Sequence, residues 1–165
     1  LITADAIHCN RDTGQAVLDR GGDYLFALKS NRPTTLRDVE DYFADPDADI
    51  TETLTTTDAD HGRVEIRHHA VIHAVDWLFA GKPDRDHPAM PGLSTIGRVE
   101  AEVTREGRTS RSVRYYLSSA RLSAQAFARA VRAHWAIENG LHWVLDMAFD
   151  EDRARARKDH AAENL

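Results

Sequence analysis

Residues 1–28 read LITADAIHCNRDTGQAVLDRGGDYLFAL, and the reading of this stretch decides the fold class. Leu1 to Ala4 is a short apolar run of buried-strand type, and it ends on an acid, Asp5. Asn10 or Asp12 can cap a helix that continues to about Arg20. Gly21-Gly22 then ends the helix, because glycine takes up the left-handed conformation of a helix C-terminus at little steric cost. Tyr24 to Leu28 is a second apolar run, closed by Lys29-Ser30-Asn31. Strand, short helix and strand in that order make a βαβ unit with two parallel strands. In such sheets chemistry sits at the carboxyl ends of the strands, where Asp5 and Lys29 both fall.

Outward from this unit, Pro33 to Phe43 reads as a second helix with proline near its first turn. Asp45 to Asp49, around Pro46, is an acidic loop. From Ile50 the pattern changes to alternation rich in Thr, Val, Ile and Tyr, which predicts strands over 51–57, 63–75, 94–104 and 110–118. Glu106-Gly107-Arg108 is the hairpin turn between the last two. Gly81 to Gly92, with three of the five prolines, is a loop. Residues 50–118 therefore form an antiparallel β insertion, and Ser123 opens a long helix over 123–150. The class is α/β.

The chain of 165 residues is the size of one domain, and 42% hydrophobic with 29% charged residues reads as globular. It has no apolar run near the ~18 residues of a membrane span and no signal peptide, so no membrane partner is expected. A lone cysteine, Cys9, excludes a disulfide framework and fits a reducing cytoplasm. The chain opens inside a strand pattern at Leu1 and stops in AAENL without a cap, so it reads as a piece of a longer protein. Net charge is −6, but it is unevenly spread. Residues 38–60 hold nine acids and no Lys or Arg, whereas 61–132 hold twelve basic residues against seven acidic. A polyanion would meet the second region.

The second informative stretch is RAHWAIENGLHWVLDMAFDED, residues 132–152. At ~100° per residue, Phe127, Val131, His134, Glu138, His142, Leu145 and Phe149 share one helical stripe. Its ends are apolar and its middle carries three titratable groups. A carboxylate among apolar neighbours needs a cation, metal or strong donor, so Glu138 is a site candidate beside a structural Glu–His–Arg network. Asp5 and Glu138 are hard oxygen donors from separate elements, the kind of pair that suits Mg²⁺, although Asp5 taken alone reads first as a strand-end turn residue. Zinc is excluded at the helix, since residues eight apart lie ~12 Å apart along its axis and His134 and His142 cannot share an ion. Arg63, Glu65 and Arg67 alternate onto one strand face, as either a phosphate-contacting ridge or a set of cross-strand ion pairs. Trp135 and Trp143 suit core packing better than base stacking.

With these pieces placed, the chain resembles the catalytic domain of bacterial insertion-sequence DDE transposases, above all the H-repeat-associated group. The resemblance is carried in family order by TADAIHCNRDT (3–13), GGDYLFALKSNRPTTL (21–36), HGRVEIR (61–67), GLSTIGRVE (92–100), RYYLSS (114–119) and residues 132–152. It implies an RNase-H-like mixed sheet flanked by helices, with a β insertion ahead of the last catalytic helix. Asp5 matches the second acid of the DDE triad and Glu138 the third. The first would lie upstream, so the domain would be N-terminally truncated and inactive alone. Related families carry Tyr, Arg and Lys around the Glu, where Val131, His134 and Leu145 stand here. His134 and His142 are the candidate replacements for that phosphate-contacting role.

The resemblance further implies Mg²⁺ as cofactor, with Mn²⁺ as substitute, held by Asp5 and Glu138. Transposon-end and target DNA would be the partners, and the parent would be dimeric on DNA at the nucleoid. Lys29, Asn31, Arg63 and Arg67 are the candidates for backbone contacts. The alternatives are a metal-dependent nuclease or phosphatase on the same fold, and a decayed remnant that binds DNA weakly without catalysis.

Overall fold

The computed structural model describes residues 1–60, 63–80 and 89–136. Its strands are β1 (Ile2–Ala4), β2 (Tyr24–Leu28), β3 (Glu52–Asp60), β4 (Arg63–Ile72), β5 (Thr95–Arg105) and β6 (Arg108–Ser118). Its helices are α1 (Arg11–Leu18), α2 (Pro33–Ala44) and α3 (Ala124–Ala136). The chain divides into two units, Leu1–Val131 and Arg132–Leu165, and the architecture that follows is that of the first.

The expected βαβ unit is present. Ile2 pairs with Tyr24 and Ala4 with Phe26 in a parallel ladder. Asn10, not Asp12, caps α1: its side-chain oxygen accepts from the Thr13 amide at 2.9 Å, while Asp12 sits in the first turn. The helix stops at Leu18, two residues short of Arg20. Gly21 at φ 69° and Gly22 turn the chain, their amides donating to Leu18 and Val17 carbonyls. α2 begins on Pro33 and buries Thr35, Val39 and Phe43, one residue per turn.

The four strands of residues 50–118 do not make a separate layer. They continue the same six-stranded sheet, in the order β1-β2-β6-β5-β4-β3. β2 pairs antiparallel with β6, Leu25 with Ser118 and Leu28 with Tyr115. This gives β2 partners on both sides and explains why nearly every residue of Tyr24–Leu28 is buried. On one face the core gathers Phe26, Val39, Phe43, Ile72, Ile96 and Leu117. The other face receives Phe127 of α3, whose ring meets Tyr116 and His69 edge-on. Gly97 makes that approach possible, for a Cβ there would stand 2.4 Å from the Phe127 ring.

The start of α3 is latched twice. Ser123 Oγ accepts from the Ala126 amide at 3.2 Å, the cap expected from sequence, and Glu52 Oε2 accepts from the Ala124 amide at 3.0 Å. Both are anionic or dipolar acceptors at a helix N-terminus, where free amides carry partial positive charge. No helix among the described residues is long and apolar enough to cross a membrane.

One feature of the ladder has a large geometric effect. Leu28 lies in a row with Tyr115, Arg98 and Ala70. From that row β6, β5 and β4 run seven further positions to Arg108, Arg105 and Arg63. At ~3.3 Å per residue this is an arm of about 23 Å, pointing the way β2 runs. It therefore projects beyond the carboxyl ends of β1 and β2. Val64 and Val113 on the arm are 42% and 46% exposed, as expected of sheet left uncovered on a face.

Candidate active site and nucleic-acid interface

Asp5 follows directly on β1 and Lys29 directly on β2, so parallel pairing brings the two strand ends side by side. Lys29 Nζ donates to Asp5 Oδ1 at 2.7 Å, with the two side chains 57% and 49% exposed. Asp5 is extended (φ −70°, ψ 170°), and its carbonyl accepts from the His8 amide to form a single 3-10 turn over Ala6–His8. Asn31 Nδ2 donates to the Ala6 carbonyl at 2.6 Å and ties the loop after β2 to that turn. Beneath them Cys9 is 1% exposed, and burial pushes its thiol up to about 11 despite the nearby Arg32 guanidinium. Such a thiol is protonated and unreactive at neutral pH.

Arg32 is the residue that sequence reading missed. It is 5% exposed, its amide donates to the Lys29 carbonyl at 3.1 Å, and Nη1 lies 3.3 Å from Met90 Sδ. An arginine immediately before a proline-started helix ordinarily points to solvent, so nothing in the pattern marked it as buried.

The donors at this site fit Mg²⁺ in kind. Asp5 offers a half-exposed hard oxygen at a strand end, and a cation that retains most of its water fits such a ligand. Among the described residues no group of three or more His, Cys, Asp or Glu stands together. Glu138 and His142 lie outside the described residues. His134 is on α3 within the second unit and is partly exposed.

Arg63 and Arg67 do share a face of β4, and there they are engaged by acids. Glu65 receives Arg63 Nη2 and Arg67 Nη2, each at 2.7 Å, while Arg67 Nη1 reaches Asp58 Oδ2 at 2.5 Å on β3. Arg67 and Glu65 are only 18% and 12% exposed, so this part of the ridge is the ion-paired arrangement. Arg63 remains 54% exposed. Asp5, Lys29 and Asn31 are thus brought together, whereas Arg63 and Arg67 belong to the arm, on β4, with three strands between it and β1.

The family model described as the transposase DDE domain matches residues 1–165, the whole chain. The chain belongs to the transposase DDE domain family.

Relatives of this DDE chain agree. It is 36% identical over 172 aligned residues to YhhI of Escherichia coli K12, named an H repeat-associated candidate transposase, and equally to YbfL of the same strain. It is 34% identical to YncI of Escherichia coli O157:H7, named a candidate transposase. Each alignment covers 99% of this chain but only 42–43% of the relative, so the DDE chain spans under half the length of these proteins. No solved structure matches it. The six-stranded mixed sheet with helices against both faces is the α/β architecture expected from sequence.

Proposed function

We propose that this chain is part of the RNase-H-like catalytic domain of an insertion-sequence transposase that cuts and transfers DNA strands with Mg²⁺. The observation that carries the reading is the place of Asp5 at the carboxyl end of β1, beside the end of β2, in a chain matched throughout by the DDE family. Asp5 and Glu138 would hold the metal as the second and third acids. The chemistry that magnesium would supply there is Lewis acidity toward an attacking water or 3′-hydroxyl and toward the leaving oxygen of the phosphodiester.

The chain's own residues supply position. Asn31 fixes the turn that follows Asp5, so the carboxylate leaves the strand in one direction. Lys29 holds Oδ1 and places a positive charge where a phosphate would approach. Arg63, His134 and His142 are proposed for the DNA backbone, with a dimer assembling on transposon ends and target.

The test is a Mn²⁺ titration of the purified chain, followed by water-proton relaxation, in wild type, Asp5→Asn and Glu138→Gln. Millimolar binding that weakens severalfold in each variant is expected. Identical affinity in all three would remove both carboxylates from the metal site.

A further inference from the structure

At the end of the arm the ladder sets three arginines abreast: Arg63 opposite Arg105, and Arg105 opposite Arg108. Neighbouring strands are ~4.8 Å apart, so three guanidinium-bearing residues fall within about 10 Å. Like charges placed directly opposite destabilise a sheet. Acids offset part of it: Asp60 stands opposite Arg63 in the ladder. Arg63 shares Glu65 with Arg67, and Arg105 lies 3.9 Å from Glu106 with both side chains more than three-quarters exposed. Arg108 makes no ion pair among the described residues. With Val103, Glu106, Thr109 and Ser110 these arginines line an open concavity of about 550 Å³, in which three guanidinium groups and two hydroxyls outnumber one carboxylate.

We infer that this arginine row is a DNA-backbone clamp, gripping phosphates of the duplex away from the point where Asp5 acts. The inference rests on the DNA-processing reading above and adds a second contact to it. Direction is the argument: the arm extends past the carboxyl ends of β1 and β2, the end of the sheet that carries Asp5 and Lys29. A duplex laid across that end meets the row next. The reach of about 23 Å corresponds to about seven nucleotides at ~3.4 Å each. Guanidinium groups match phosphate oxygens bidentately, and contacts made to phosphates carry no sequence information directly.

The experiment is fluorescence anisotropy of the full chain with a 30-base-pair duplex over a range of salt. Each phosphate neutralised contributes ~0.9 to the log–log slope. Arg105→Ala/Arg108→Ala should flatten the slope by one to two units, equally for unrelated sequences. Arg111→Ala, which removes an arginine paired with Glu102 on the opposite face, should leave it within a few tenths. A double variant with unchanged slope, beside a wild type that binds, would overturn the clamp and leave the DNA reading standing. Equal flattening by Arg111→Ala would also overturn it, because total charge would then explain the effect. Absence of binding by the wild type at low salt would overturn both.

Discussion

Lys29 Nζ lies 2.7 Å from Asp5 Oδ1, so the carboxylate proposed as a metal ligand is held by an ammonium from the neighbouring strand end. Both side chains are well over a third exposed, and pairs of this kind contribute less than ~1 kcal/mol to stability. The contact is cheap to give up.

The lysine should therefore compete with a divalent ion. A unit charge ~6 Å from a divalent one in water costs about 1.4 kcal/mol, or tenfold in affinity. Lys29→Met should tighten Mn²⁺ binding by about two- to tenfold, Lys29→Arg should leave it nearly as in wild type, and urea stability should change by less than ~1 kcal/mol. Equal Mn²⁺ affinity for Lys29→Met and wild type would show that the ammonium does not compete.

Gly97 allows Phe127 onto the sheet. With a Cβ 2.4 Å from Phe127 Cζ, Gly97→Ala should cost about 1–3 kcal/mol by overpacking. Combining it with Phe127→Leu should cost less than the sum of the single changes, since the shorter side chain vacates the contested space. A double-mutant cycle in urea decides this, and strict additivity would refute the contact as the source of strain.

His69 gives the fold a pH dependence. It is 3% exposed, its Nδ1 has no hydrogen-bond partner among the described residues, and Nε2 shares a 3.3 Å contact with Thr56 Oγ1. Burial lowers its pKa from the ordinary 6.5, helped by Arg67 and His68. The unfolded chain then binds the proton more readily than the folded one, so stability is complete above pH ~6.5 and is lost as pH falls through the folded pKa. The loss is at most ~1.4 kcal/mol per pH unit for one proton. Urea midpoints at pH 7.5 and 5.5 should differ more for wild type than for His69→Gln; an equal difference would exclude His69 as the cause.

The β5–β6 turn contains a conformation its first residue dislikes. Glu106 at φ 52° and Gly107 at φ 74° form a two-residue turn of type I′, which favours Asn-Gly. Glu106→Asn should stabilise the fold by about 0.5–1 kcal/mol, seen as a higher urea midpoint with unchanged slope. A lower midpoint would mean that the glutamate contributes more than its backbone costs.

Local signals were the legible ones. The strand–helix–strand over residues 1–28, the Ser123 cap and the hairpin at Glu106-Gly107 were all readable, because each depends on neighbours within a few residues. The union of all six strands in one sheet was not readable: β2 takes β6 as its partner through contacts between residues some ninety apart. The burial of Arg32 and His69 was hidden for the same reason, since their surroundings come from distant strands and loops. At the site, Asp5 and Lys29 could be placed at strand ends from pattern alone, but their direct contact needed the parallel register. For Arg63 and Arg67, alternation showed the shared face, while the choice between acids and phosphate depended on Asp58 across the ladder.

The partnership of β2 with β6 also sets the order of events during synthesis. β2 leaves the ribosome with β1 on one side only, and its other edge waits until β6 has been made. At about 5–20 residues per second, translation from Leu28 to Arg108 takes several seconds. For that interval the apolar Tyr24–Leu28 edge is an unpaired template for other strands. Non-local pairing of this kind slows folding, so the nascent chain passes through a window in which a chaperone, or a second nascent copy, can bind before the sheet closes.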